Sequence, residues 1–222
     1  MRAACCEATV LRNEVIAPDI RLLTVVWPDR DHAPHAGQFF TLRSWGADEA
    51  PFLSRPISVH RWNPDSSTIE FLYQVVGEGT EKLAQLKQQD TFQLTRELAA
   101  AGVKPDVFFG FRDTPYCMEE YREIANLVKV STDTGAVGFH GFVTQLYDPA
   151  DYDVVLVCGP TVMMKNAARL CAEKGTPCFV SMEKKMACGI GACLGCTCET
   201  KGGEGKSVCK NGPVFDATEV FF

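Results

Sequence analysis

A chain of 222 residues, 46% of them hydrophobic, is long enough for one or two domains with a real core and a small appendage. The net charge of −6 gives no electrostatic reason to expect binding to nucleic acid or to an anionic membrane. No apolar run is long enough to span a bilayer, and the N-terminus lacks the apolar region of a signal peptide. Eleven cysteines without signs of secretion indicate a reducing cytoplasm.

The first third of the chain reads as short β-strands separated by turn clusters. Strands at this spacing, without long helices between them, predict an antiparallel barrel or sandwich. The predicted strands are Thr9–Arg12, Ile20–Trp27, Gln38–Arg43, Ile57–His60 and Ile69–Val76.

Two motifs in this region suit a phosphate-bearing ligand. In Arg55-Pro-Ile-Ser58 the proline holds the arginine, whose guanidinium fork matches a phosphate, and the serine adds a hydroxyl. Gly79 and Thr80 follow Leu72–Gln74 at the start of a predicted helix over Glu81–Gln88, where backbone N–H groups favour an anion. Taken alone, each motif is explained equally well as an ordinary turn, the second with a threonine N-cap.

Helices and strands alternate from Leu94 onward, which predicts a parallel sheet with ligands at the carboxyl ends of its strands. Asp153–Cys158 is a continuous apolar run of the kind that is buried on both faces of such a sheet. The predicted helices are Thr95–Ala101, Met118–Leu127 and Val162–Lys174, and the predicted strands are Asp106–Phe111, Val128–Thr132, Asp153–Cys158 and Cys178–Met182. The candidate ligand-binding residues at the strand ends are Gly110, Arg112, Thr132, Asp133, Cys158, Gly159 and Pro160.

Four cysteines near the end of the chain have the spacing of a metal centre. Cys188, Cys193, Cys196 and Cys209 are separated by four, two and twelve residues, and glycines between them let the backbone fold tightly. This is the spacing of plant-type [2Fe–2S] proteins. Structural zinc, disulfides and idle thiols are the alternatives. Cys198 is interpreted as a bystander because Cys209 completes the wider loop.

These motifs occur in an order that resembles the ferredoxin–NADP reductase superfamily. More narrowly, the chain is similar to the family of electron-transfer subunits of NAD-dependent (class 1B) dihydroorotate dehydrogenase. The most specific matches are Met186–Cys196 and Val208–Phe215, and the resemblance covers essentially the whole chain.

The resemblance implies FAD under a β-barrel, NAD on a parallel α/β domain and a small C-terminal [2Fe–2S] domain. The corresponding domains are 1–92, 93–182 and 183–222. The residues that it implies for FAD are Arg55, Pro56, Ile57, Ser58, Leu72, Tyr73, Gln74, Gly79 and Thr80. The residues that it implies near NAD are Cys158, Gly159, Pro160 and Met163, and those for the cluster are Cys188, Cys193, Cys196 and Cys209.

One departure from the family pattern lies at the join between the first two domains. Members of the family carry a strand and a glycine-rich loop there, but here Asp90-Thr-Phe92 runs almost directly into Gln93. About thirty residues are absent, including a strand that is normally central in the sheet. The α/β domain is therefore expected to be truncated, either by a true deletion or by a segment missing from the sequence.

The function implied is an electron relay in pyrimidine biosynthesis. An FMN-containing dihydroorotate dehydrogenase catalytic subunit, in a heterotetramer with two copies of each chain, would deliver electrons through [2Fe–2S] and FAD to NAD+. One alternative is a subunit of a ferredoxin–NADP oxidoreductase or sulfide-dehydrogenase-like complex. The other is a non-catalytic cluster-binding module, which the shortened join motivates.

Overall fold

The computed structural model describes residues 8–29, 32–35, 37–46, 48–51, 53–85 and 103–220. The chain divides into two compact units, residues 1–104 and 105–222. The predicted domain boundary at residue 92, the helix predicted over Thr95–Ala101 and the shortened join all lie outside the described ranges. Among the described residues, no helix is long and apolar enough to cross a membrane.

The first unit consists mainly of antiparallel strands, as the turn spacing predicted. Its elements are β1 (Thr9–Ala17), β2 (Ile20–Val26), β3 (Phe39–Leu42), β4 (Arg55–Ser58), β5 (Arg61–Asn63), β6 (Thr68–Gln74) and α1 (Glu78–Ala84). Hydrogen bonds join β1, β2, β6 and β5 in that order into one sheet, and β3 and β4 into a second.

The two sheets of this unit share one hydrophobic core. Leu23 of β2 lies opposite Phe71 of β6, and both side chains are buried. The ring of Phe40, on β3 in the other sheet, contacts the rings of Trp27 and Phe71 edge-on at centroid distances of 5.0 and 5.7 Å. Alternate residues of each strand thus face this core, which is the period that the sequence shows.

The second unit alternates strands and helices before a C-terminal segment of short elements. Its strands are β7 (Asp106–Phe111), β8 (Leu127–Thr132), β9 (Phe139–His140), β10 (Val155–Cys158), β11 (Cys178–Ser181), β12 (Thr197–Glu199), β13 (Gly205–Ser207) and β14 (Val214–Asp216). Its α-helices are α2 (Met118–Ile124), α3 (Thr161–Lys174) and α4 (Val208–Asn211), and two short 3₁₀ helices span Val143–Gln145 and Pro149–Asp151.

The parallel strands of the second unit are divided between two three-stranded sheets. In the first, β7, β8 and β9 are parallel; in the second, β10 pairs in parallel with β11, which pairs antiparallel with β14. Within the described ranges, β7 and β10 are therefore each at the edge of a sheet. The central strand that is expected to be absent would lie at the join, outside these ranges, so its absence stays a prediction.

The expectation that the strand before Cys158 is buried on both faces is wrong. Val154 and Leu156 are 44% and 45% exposed, whereas Val155 and Val157 pack against the hydrophobic core of this unit that contains Met164 and Val180. The reason is that only one face of β10 lies against α3, and no strand in the described part of the chain pairs with the free edge of β10.

A single hydrophobic core joins α3 to the cysteine-rich C-terminal segment. Met164 and Cys171 of α3 and Val180 of β11 are fully buried in it, together with Val208 of α4. β14 also extends the sheet of β10 and β11, with Val180 opposite Phe215. The cysteine loop is therefore built on a packed frame, and the predicted boundary between domains at residue 182 stays a prediction.

Candidate cofactor sites

The four predicted cluster cysteines are linked by N–H···S hydrogen bonds. The N–H of Cys193 donates to Sγ of Cys188 at 3.4 Å, and the N–H of Cys209 donates to Sγ of Cys196 at 3.4 Å. The N–H of Gly191 donates to Sγ of Cys209 at 3.1 Å, which joins the loop to the distant fourth cysteine. Within the described ranges, no three His, Cys, Asp or Glu side chains converge on the position of a single metal ion.

The surroundings of these thiols differ. Backbone N–H groups of Ile190 and Cys193 lower the pKa of the Cys188 thiol to about 6, because they stabilise its thiolate. Burial, followed by the hydrogen bond with Cys196, raises the pKa of Cys209 to about 11. Because the ligand form of cysteine is the thiolate, the donors around Cys188 favour binding of iron.

The loop geometry fits a group held between two backbone segments. Gly191 has φ +79°, and a Cβ atom there would lie 2.6 Å from Cδ and 2.9 Å from Cβ of Lys210. Only glycine allows this close approach of the loop to α4, which carries Cys209. Four thiols at plant-type spacing, with N–H donors already directed at sulfur, are a donor set suited to a [2Fe–2S] cluster.

Cys198 is placed differently from the four predicted ligands. Its side chain is buried on β12, and its Sγ donates to the carbonyl oxygen of Lys206 on β13 at 3.3 Å. Burial raises the pKa of this thiol. These contacts support the interpretation of Cys198 as a bystander.

The residues predicted for FAD come together in the first unit. The guanidinium of Arg55 lies against Gly79 of α1, so closely that a Cβ atom on Gly79 would be 2.1 Å from Nε of Arg55. Nη1 of Arg55 donates to the carbonyl oxygens of Leu53 and Ser54 at 2.9 and 3.4 Å. These described acceptors are neutral carbonyl oxygens, and the guanidinium fork of Arg55 has the geometry that suits a phosphate.

The other residues predicted for FAD lie on β4, β6 and α1, next to Arg55 and Gly79. Thr80 is buried, and its hydroxyl oxygen accepts hydrogen bonds from the N–H groups of Val76 and Gly77, so it shapes the turn before α1. Tyr73 is also buried, its hydroxyl has no hydrogen-bond partner among the residues that the structure describes, and burial raises its pKa. The half-buried Ile57 packs against the same small core as Tyr73, while Gln74 is exposed. The remaining predicted residues, Pro56, Ser58 and Leu72, are half-buried on β4 and β6.

Sequence reasoning missed a tryptophan and two cations beside Arg55. The ring of Trp45 lies 6.0 Å from the guanidinium carbon of Arg55, 5.9 Å from Nζ of Lys82 and 5.8 Å from the guanidinium carbon of Arg43. The position of Lys82 could have been found, because it lies one helical turn after Gly79. No local pattern indicates Trp45, which lies in an irregular loop.

The residues predicted near NAD form two separate groups. The ends of β7 and β8 are adjacent: Phe111 lies opposite Thr132, and the N–H of Asp133 donates to the carbonyl oxygen of Phe111 at 3.1 Å. Arg112 and Asp133 therefore follow neighbouring strand ends. The hydroxyl of Thr132 is fully buried and donates to the carbonyl oxygen of Val137 at 2.9 Å, which closes a loop.

The second group follows β10. Cys158 is exposed at the end of that strand, and the methyl group of Met163 lies against Gly159, 2.5 Å from where a Cβ would be. Pro160 precedes the first residue of α3. Gly110 belongs to the first group: it lies on β7, close to the side chain of Val143. The two groups belong to different sheets, and their joint use for a dinucleotide stays a prediction.

Comparison with known proteins decides the family. Residues 183–221 match the family model of the iron-sulfur cluster binding domain of dihydroorotate dehydrogenase B. The electron transfer subunit of dihydroorotate dehydrogenase B (NAD(+)) from Clostridium acetobutylicum is 40% identical over 214 residues, covering 83% of this chain and 85% of the relative. The subunit of the same name from Caldanaerobacter subterraneus subsp. tengcongensis is 35% identical and covers 97% and 98%. This chain belongs to that electron transfer subunit family.

The comparisons also confirm the fold and bear on the shortened join. A solved structure of an NADH-dependent reduced ferredoxin-NADP oxidoreductase superposes with a TM-score of 0.83 at 23% identity, covering 99% of this chain and 91% of the other. The alignment with the Caldanaerobacter subunit has 250 positions but takes in 97% of the 222 residues here, so about 35 positions are filled only by the relative. That number is close to the thirty residues predicted to be absent, and their place at the join stays a prediction.

Proposed function

We propose that this chain is the electron-transfer subunit of an NAD-dependent dihydroorotate dehydrogenase. It takes electrons from a partner subunit that oxidises dihydroorotate and is expected to hold FMN. The two kinds of chain assemble as a heterotetramer. It passes them through a [2Fe–2S] cluster and FAD to NAD+. The observation that supports this most directly is the linked set of Cys188, Cys193, Cys196 and Cys209 within the matched iron-sulfur domain.

The chain's own residues bind and orient. The four cysteines would hold the cluster, and Arg55 beside Gly79 would bind the FAD phosphates. When bound, the cluster would carry single electrons, and the flavin would collect two of them and supply a hydride to NAD+. We assign no acid or base, because hydride transfer between flavin and nicotinamide depends on placement more than on proton transfer. The residues proposed near the nicotinamide dinucleotide are Gly110, Arg112, Thr132, Asp133, Cys158, Gly159, Pro160 and Met163.

We place the protein in the cytoplasm. The cysteines in the described ranges are thiols, including the exposed Cys158 and Cys193, as expected in a reducing compartment. The partner would supply the substrate chemistry there.

The composition of anaerobically purified protein tests the proposal. One FAD, two irons and two acid-labile sulfides per chain are expected, followed by NAD+ reduction on dihydroorotate addition once the catalytic subunit is present. Zinc without sulfide would contradict the electron-transfer function. Iron and sulfide without FAD would mean that the chain is only a module that carries a cluster.

A second function is favoured by the structural neighbour. The superposition with a reduced ferredoxin-NADP oxidoreductase makes a related oxidoreductase complex the alternative. The two differ in substrate: the alternative predicts electron exchange with ferredoxin and NADPH and no response to dihydroorotate with any catalytic subunit.

Within the part of the chain that the structure describes, β7 and β10 lie at sheet edges, which motivates a third hypothesis, a cluster-binding module without nucleotide chemistry. Rapid-mixing reduction of the bound flavin by NADH separates this from the first proposal. Flavin that is bound but not reduced by NADH would favour the module.

A further inference from the structure

Three cationic side chains lie around the ring of Trp45, beside the proposed flavin site. Nζ of Lys82 and the guanidinium carbons of Arg43 and Arg55 each lie within 6.0 Å of the centroid of its ring. The electron-rich face of an indole attracts cations, so one ring can hold several of them in a small volume.

The ring itself is fixed. Trp45 is 9% exposed and packs in a small core with Tyr73 and Leu83. Its Nε1 donates to the carbonyl oxygen of Pro51 at 2.6 Å, which closes the loop that precedes β4. Nε of Arg43 donates to the carbonyl oxygen of Trp45 at 3.1 Å, so this arginine also clamps the loop.

Two of the cations meet at α1, because Lys82 is part of this helix and Arg55 of β4 packs against it. Gly79 and Lys82 are three residues apart on that helix and so share a face, and Arg55 lies against Gly79. The positive ends of Arg55 and Lys82 lie 6.0 and 5.9 Å from the centroid of the Trp45 ring, on which both converge. Lys82 is paired with Glu49 at 3.2 Å, a carboxylate whose side chain is 60% exposed and can turn into solvent. Like charges brought together in this way repel unless an anion lies between them.

We propose that Trp45 is a positioning residue that holds Arg55 and Lys82 as a binding site for the phosphates of a flavin nucleotide. The inference rests on the proposed FAD site and extends it, since Lys82 then contributes a second cation and leaves Glu49 when the ligand binds. On this proposal, the two cations would bind only the phosphates of the nucleotide. The contribution of Trp45 is therefore specific to ligands that carry phosphate.

The test compares FAD with riboflavin, which has no phosphate, on protein stripped of flavin. Affinities are measured by quenching of flavin fluorescence for the wild-type chain and for Trp45→Leu, Trp45→Phe and Lys82→Met. Lys129→Met is the matched control, because Lys129 lies 5.9 Å from the ring of Phe108 in the other unit. We expect Trp45→Leu and Lys82→Met to weaken FAD binding about tenfold and to leave riboflavin unchanged. Trp45→Phe, which keeps an aromatic ring, should lie between these and the wild type.

Three results would overturn the inference. Wild-type affinity for FAD in Lys82→Met and Trp45→Phe, neither of which empties the small core, would show that the cations around the ring have no part in binding. An equal loss of FAD and riboflavin in Trp45→Leu and Trp45→Phe would show that the tryptophan only supports the fold. A wild-type chain that binds neither flavin would remove the proposed FAD site, and this inference with it.

Discussion

The backbone N–H of Gly191 donates to Sγ of Cys209 across 3.1 Å, although the two residues are eighteen positions apart. This bond joins the glycine-rich loop to α4, the helix that carries the fourth cysteine. The loop can approach α4 only because residue 191 has no side chain, since a Cβ would be 2.6 Å from the side chain of Lys210. A cluster held by both segments depends on this contact.

Replacing Gly191 by alanine should therefore loosen the cluster. The φ of +79° alone costs an L-residue about 1–2 kcal/mol, and the clash with Lys210 adds to it. We expect Gly191→Ala to lose iron faster under a chelator and to change the visible spectrum of the cluster. Gly203→Ala is the matched control, with φ +80° and nothing within 4 Å of a Cβ. Equal iron loss in both variants would mean that strain, and not the loop contact, is responsible.

The choice of the fourth ligand is tested by two serine variants. Cys209→Ser should lower iron and sulfide to well under half of the wild-type content, because serine replaces a thiolate ligand. Cys198→Ser should keep the full content, since its hydroxyl can still donate to the carbonyl oxygen of Lys206. Iron and sulfide analysis of both proteins decides. The opposite pattern would exchange the roles of Cys198 and Cys209.

Most of the regular structure could be predicted because hydrophobic period and turn residues act locally. β7 spans Asp106–Phe111 as predicted, and α3 differs from its prediction by one residue. The spacing of Cys188, Cys193, Cys196 and Cys209 likewise indicated the cluster motif without knowledge of the fold. Each of these signals lies within a short stretch of sequence.

The contacts that could not be predicted depend on residues far apart in the chain. Leu156 is exposed because it lies on the opposite face of β10 from Val155 and Val157, which pack on the core, although the strand has a fully buried sequence pattern. Trp45 meets Lys82 through a loop closed by the bond to Pro51. Neither relationship has a local sequence signature, because each is set by tertiary packing.

The contact of Arg55 with Gly79 gives a direct test of the proposed FAD site. An alanine at position 79 would place a Cβ 2.1 Å from Nε of Arg55, so the guanidinium must move away from the helix. We expect Gly79→Ala to weaken FAD binding about tenfold or more. Gly77→Ala is the control, since a Cβ there meets nothing within 4 Å. Wild-type affinity in Gly79→Ala, measured by fluorescence titration, would place the phosphates elsewhere.

The ion pair between Asp148 and Lys174 should stabilise the second unit only between acid and strongly alkaline pH. The hydrogen bond from Lys174, then that from the N–H of Ala150, lowers the pKa of Asp148 below 3.8. The same pair raises the pKa of Lys174 above 10.5. The stabilisation is thus lost as pH falls through the lowered pKa or rises through the raised one.

Asp148→Asn should accordingly lower the thermal midpoint at pH 7 by a few degrees at most, as for an exposed pair. The gap to the wild type should close when the pH falls well below 3.8, where Asp148 is protonated in both states. Glu119→Gln, which removes a pair within α2 alone, is the control. A gap that persists in acid would show that the charge of Asp148 is not the source of the effect, because asparagine keeps the oxygen that accepts from Ala150.

Two exposed apolar side chains flank the predicted cluster ligands, and they give the proposed partner a surface to bind. Ile190 and Leu194 are 61% and 66% exposed in the loop that carries Cys188 and Cys193. Apolar groups concentrated at one exposed site commonly mark an interface. Replacing both by serine should weaken binding to the catalytic subunit at least tenfold, at unchanged iron and sulfide content.

The matched control for that double variant is Val162→Ser on α3, where the valine is 73% exposed. Calorimetric titration with the catalytic subunit should show wild-type affinity for Val162→Ser and a loss for Ile190→Ser/Leu194→Ser. If the double variant binds as tightly as the wild type, the partner must bind another surface and electrons must enter there. The proposed short path from the partner to the cluster through this loop would then be wrong. Single-turnover reduction of the cluster by dihydroorotate would then be as fast in the variant as in the wild type.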